Sequence, residues 1–80
     1  MSATTAWLAA WFKTRTPDVE LAPSDNFFDR EAIDSFGVIE LIEDIEAHFA
    51  VRFVNDSFQD RRFPTIAGLA AMIDELQHHG

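Results

Sequence analysis

Ser35 is the residue of this 80-residue chain whose hydroxyl is best placed for chemistry. It follows Asp34 and opens a stretch running to Phe49. Read at helical pitch, Val38, Leu41, Ile42, Ile45 and Phe49 share one apolar stripe, while Glu40, Glu43, Asp44 and Ala47 fall on the other side. Asp34 and Ser35 are both cap-type residues, so Ser35 is predicted at the N-terminus of an acidic amphipathic helix. Backbone N–H groups there lack intrahelical partners and the helix dipole is positive. A phosphate ester on the Ser35 hydroxyl suits that position. Nucleophilic catalysis suits it less, because an attacking serine needs a base within hydrogen-bond reach. The nearest histidine in sequence, His48, lies thirteen residues along the same helix, about 20 Å away at 1.5 Å per residue. His78 and His79 fall in a tail expected to fray. Asp44 with His48, and Glu75 with His79, are i,i+4 pairs, but two ligands do not make a structural zinc site, and no functional metal is expected. Glu43-Asp44 and Asp74-Glu75 are sequence neighbours that diverge on a helix, so they are poor acid/base dyads. No glycine-rich phosphate loop is present.

The Asp34-Ser35-Phe36 motif, its acidic helix and the lead-in Phe28-Asp29-Arg30-Glu31-Ala32-Ile33 together resemble the acyl carrier proteins and the related peptidyl and D-alanyl carrier proteins. The resemblance covers roughly 25–76, and Phe63-Pro64-Thr65-Ile66-Ala67-Gly68-Leu69-Ala70 looks like the start of the last helix in peptidyl carrier domains. It implies a non-catalytic carrier bearing a 4′-phosphopantetheine arm on Ser35, with Asp34 beside it in the motif. It also implies three kinds of partner: a phosphopantetheinyl transferase, an adenylating ligase or acyltransferase, and a downstream enzyme that accepts the acyl or aminoacyl group. Glu31 or Ala32 stands where the family usually has a glycine, which leaves the loop without low-cost access to positive φ. The lead-in is closer to the D-alanyl type than to the fatty-acid type. Eight Phe and two Trp crowd a small core, leaving little room to sequester a long chain, so aminoacyl or short acyl cargo is expected.

The elements that position Ser35 belong to one small domain spanning 1–80. Absence of cysteine suits a cytoplasmic protein, and no run approaches the roughly 18 apolar residues that a membrane span needs. Fourteen acidic residues against six basic ones give a net charge of −8, which disfavours nucleic acid and favours basic protein surfaces. No Lys or Arg occurs between Arg30 and Arg52, so Glu40, Glu43 and Asp44 form an acidic docking face rather than a mixed-sign solvated one. Phe36 points about 160° from the core stripe. Flanked by Ile39 and ringed by carboxylates, it reads as an apolar contact for partners, against the alternative that it folds back on the preceding loop. An unmodified acidic helical module with one permanent basic partner is the competing reading of the whole chain.

Helix boundaries follow from punctuation. Ser2, Thr4 and Thr5 offer an N-cap for a first helix with Trp7, Leu8 and Trp11 as its core stripe; Lys13 and Arg15 suit its last turn, and Thr16-Pro17 ends it. The long connection to Asp34 is expected to be pinned by Leu21, Phe27, Phe28 and Ile33, with a helical turn near Ser24 or Asp25. Val51-Arg52-Phe53-Val54 reads as extended, and Asn55-Asp56-Ser57 as the cap of a short third helix through about Arg62. Thr65 caps the last helix, whose stripe is Ile66, Leu69, Ala70, Ile73 and Leu76. Gly68 within it suggests close approach of another helix. The sum is an all-α, small four-helix bundle with three longer helices, one short third helix and a long first loop, expected to be monomeric.

Overall fold

The computed structural model describes residues 2–79. Among them are three α-helices, α1 (Ala3–Arg15), α2 (Ser35–Phe49) and α3 (Ile66–His79), with a 3-10 helix at Asn55–Gln59 and no strand. The short third helix therefore exists as a 3-10 segment, ending earlier than expected, and the α-helical framework has three members. The side chains of Asn55 and Asp56, two of the expected cap residues, lie outside the described set. Val54 holds the N-cap position, and its N–H donates to the Ser57 hydroxyl at 3.3 Å.

Helix α1 starts where Ser2 accepts the Thr5 N–H at 3.1 Å and ends at Thr16, before Pro17. Its buried seam is Thr4, Leu8 and Phe12, spaced i, i+4, i+8. The expected stripe of Trp7, Leu8 and Trp11 is thus rotated, with both indoles only partly covered. The reason is chemical: an indole N–H needs an acceptor, and Trp11 finds Asp44 at the edge of the seam, 2.7 Å away. The buried Thr4 hydroxyl is satisfied across the fold by Asp74 of α3, also at 2.7 Å.

In α2, Leu41 and Ile45 are fully buried, while Val38, Ile42 and Phe49 cover the edges of the core. In α3, Ile66, Leu69, Ala70 and Ile73 are buried as expected, Leu76 is partly covered, and Met72 joins the core unforeseen. Complete burial of a Leu or Ile side chain contributes about 1.5–3 kcal/mol. Thr65 caps α3 by accepting the Gly68 N–H at 3.0 Å. The helix continues through Gln77 and His78 to His79, so these residues are not a frayed tail. Gly68 is explained by its own approach turn, not by another helix: a Cβ there would collide with the Arg62 carbonyl oxygen and lie 2.7 Å from Arg62 Cβ. No helix among the described residues is long and apolar enough to cross a membrane.

The first loop is held by fewer pins than expected. Phe27 and Ala32 are buried and Leu21 and Ile33 partly so, but Phe28 is 43% exposed. The loop is tied to the start of α3 by two bonds: the Phe27 N–H donates to Pro64 O at 2.8 Å, and the Ala67 N–H to Pro23 O at 2.9 Å. The helical turn begins at Asn26, whose side chain accepts the Phe28 and Asp29 N–H groups.

Candidate functional site

That turn sets the entry to Ser35. The Ala32 N–H reaches back to Phe27 O at 2.9 Å and the Glu31 N–H to Phe28 O at 3.1 Å, the paired bonds of a Schellman closure. The residue at its left-handed position is Glu31, with φ 57°. The loop therefore takes the positive φ that the missing glycine would have supplied, at a cost of about 1–2 kcal/mol for a residue with a Cβ. The closure buries Ala32 beside Phe27 and turns the chain through Ile33 into α2.

Asp34 is the N-cap of α2. Its Oδ1 accepts the Gly37 N–H at 2.7 Å and its carbonyl accepts the Val38 N–H at 2.9 Å. The capping role belongs to Asp34 alone, and Ser35 is the first helical residue. Ser35 is exposed, and among the described residues its hydroxyl makes no hydrogen bond. Among the described residues the N–H groups of Ser35 and Phe36 find no acceptor and remain as orphans of the first turn. A solvent-facing hydroxyl beside free donors at a positive helix end can carry a phosphodiester without rearrangement. These residues fit a phosphopantetheine group. Among the described residues no histidine bonds the hydroxyl, and His48 stacks on Trp7 in the last turn of α2, with ring centroids 4.9 Å apart.

The expected docking residues surround this point. Phe36 is 78% exposed and Ile39 57%, so Phe36 does not fold back onto the loop. Glu40 and Glu43 are exposed and Asp44 is half-buried. Two of these three carboxylates are already engaged from α1. Arg15 pairs with Glu40 and lies 3.8 Å from Asp44, while its guanidinium sits 4.8 Å from the Trp11 ring centroid. The Trp11 indole holds Asp44 from the same side. The acidic face is therefore partly balanced by a cation from outside α2, while Glu43 makes no ion pair among the described residues. Arg15 and Trp11 were missed as members of this site. Lys13 and Arg15 at the α1 terminus were visible as dipole partners, but only the packing shows Arg15 reaching 25 residues forward.

Comparison with known proteins follows the same residues. The family model described as "Phosphopantetheine attachment site" matches residues 8–73. The chain is 30% identical over 61 residues to the D-alanyl carrier protein of Streptococcus pyogenes serotype M5 (strain Manfredo), covering 76% of this chain and 77% of that protein. The D-alanyl carrier proteins of serotypes M49 (strain NZ131) and M1 match to the same extent. No solved structure matches it.

Proposed function

The chain belongs to the phosphopantetheine attachment-site family of carrier proteins, and we propose that Ser35 is the residue that bears its arm. The observation that carries this reading is the unbonded, exposed hydroxyl at the first position of α2, beside an Asp34 that supplies the cap. When bound, the arm supplies a thiol on which cargo rides as a thioester. The chain's own residues hold and present it. Asp34 fixes the helix start, the orphan N–H groups of the first turn favour the phosphodiester, and the exposed hydroxyl leaves access for a transferase that brings its own base.

Catalysis belongs to the partners: the phosphopantetheinyl transferase, an adenylating ligase or acyltransferase, and an accepting enzyme. They meet the same face in turn. Phe36 and Ile39 offer apolar contact, and Glu43, with Glu40 and Asp44 behind Arg15, attracts basic surfaces. Cargo of aminoacyl or short acyl size fits a core whose Leu8, Phe27, Leu41, Ile45, Leu69 and Ile73 are fully covered. The D-alanyl carrier relatives support the aminoacyl choice. A small all-helical carrier working in the cytoplasm completes the reading.

Incubation with a phosphopantetheinyl transferase and coenzyme A, followed by intact mass measurement, tests it. Wild type should gain one phosphopantetheine, and Ser35→Ala should gain none while remaining folded. A labelled Ser35→Ala variant would refute the assignment. An unlabelled wild type would favour an unmodified acidic interaction module.

A further inference from the structure

Beside Ser35, the C-terminal half of α1, the Schellman loop and the first turns of α2 enclose an open groove, with Trp11, Phe28, Ile33, Phe36 and Gly37 among its lining residues. On the premise that Ser35 carries the arm, we propose that this groove is the resting seat of the pantetheine chain, with Trp11 and Phe28 as its apolar walls.

The largest core side chains are covered from solvent, which favours a chain tethered at Ser35 lying on the outside of the bundle. Ser35 itself does not line the groove, but its neighbours Asp34, Phe36 and Gly37 do, so a flexible chain leaving its hydroxyl has only to cross the first turn of α2 to reach it. A second groove lies between the 3-10 helix and α3, bordered by Val54, Met72 and Leu76, and no residue of 31–40 contributes to it.

The chemistry also matches. Pantetheine presents a gem-dimethyl group, a hydroxyl and two amides. The first groove offers Phe28 and Phe36, two rings the fold leaves exposed, beside the charged ends of Arg15 and Glu40 as donor and acceptor. Its Trp11 wall is held in place beforehand. The indole N–H is tied to Asp44 at 2.7 Å, and Arg15 lies 4.8 Å from the ring centroid. A wall already ordered loses little freedom when a chain settles on it. Gly37 contributes by having no side chain: a Cβ there would lie 2.7 Å from Ile33 Cγ1 and 3.2 Å from Asp34 Oδ1, crowding the groove where it meets the helix.

The test compares unloaded and arm-bearing protein, each isotopically labelled, with the added mass confirmed first. The Trp11 indole N–H and the amides of Phe28, Ile33 and Gly37 should shift on loading, while Val54 and Leu76 stay in place. Overhauser contacts should join the gem-dimethyl group to the Trp11 or Phe28 ring. Phe28→Ala, at an exposed position, should keep the fold and lose those contacts. Shifts confined to 34–36 with no methyl contact, or contacts to Met72 or Leu76 instead, would overturn the seat while leaving Ser35 as the attachment point. Failure to gain the mass would overturn the reading of Ser35, and the seat with it.

Discussion

Arg15 and Arg62 each hold two carboxylates, and they do so in different ways. Arg62 is gripped from several directions. Its Nε and Nη2 donate to Asp60 at 3.1 and 2.9 Å, its backbone N–H donates to the same carboxylate at 2.9 Å, and its guanidinium also bonds Glu75 of α3. Asp60 is two residues away, so little chain has to be ordered to make the contact. The side-chain and backbone hydrogen bonds from Arg62 pull the Asp60 carboxyl from its usual value down to about 2. Arg15 reaches 25 residues forward to Glu40, stands off from Asp44, and rests against an indole. The Arg62 cluster is a clamp that closes the approach to α3 around Gly68. The Arg15 cluster is a cover over the surface proposed as the docking face, where a partner's cation would compete with Arg15. Fork geometry and short chain separation distinguish a structural ion pair from an exchangeable one.

Perturbations can break or sharpen that contrast. The largest effect lies in the core and in neither cluster: Leu41→Ala, at a fully buried position, should lower stability by about 2–5 kcal/mol in chemical denaturation. Ile42→Ala, only partly covered, should cost less. Next comes the clamp. Because the folded Asp60 carboxyl sits at about 2, below its ordinary 3.8, its contribution is present above about pH 4 and fades as pH falls toward 2. Melting temperature should drop across that window in wild type, and Asp60→Asn should flatten the drop. Glu31→Gly, which removes the Cβ from a left-handed position, should raise stability by up to about 1 kcal/mol in the same denaturation assay. Smallest on stability is the cover: Arg15→Ala should stay within about 0.5 kcal/mol of wild type. It should nevertheless speed association with a basic partner at low salt by uncovering Glu40 and Asp44, with the gain lost at high salt. Stopped-flow rates at two ionic strengths check it, and an unchanged low-salt rate would remove Arg15 from the docking surface.

Local chemistry was the legible part. Caps and breakers are short-range signals, so Ser2, Thr65 and the Asp34-Ser35 start could be read directly, as could the α2 register that buries Leu41 and Ile45 and exposes Phe36. What escaped depends on partners distant in sequence. Apolar spacing nominated Trp7 and Trp11 for the α1 seam, yet Phe12 took the place because the Trp11 N–H found Asp44 at the rim. Charge counting within α2 could not reveal that α1 supplies its own cation. Glu31 had the wrong residue type for its backbone, and the two bonds closing the turn outweigh the modest left-handed penalty. Ala50, which ends α2 at φ 56°, is a second left-handed residue that no glycine signalled.

The central claim is that one serine, at the first position of α2, carries the arm. Proteolysis of the arm-bearing protein, followed by fragmentation of its peptides, tests it most directly. The phosphopantetheine mass should appear on the peptide containing Ser35 and on that residue within it. The same mass on Ser24 or Ser57, or on no peptide after treatment with an active transferase, would contradict it.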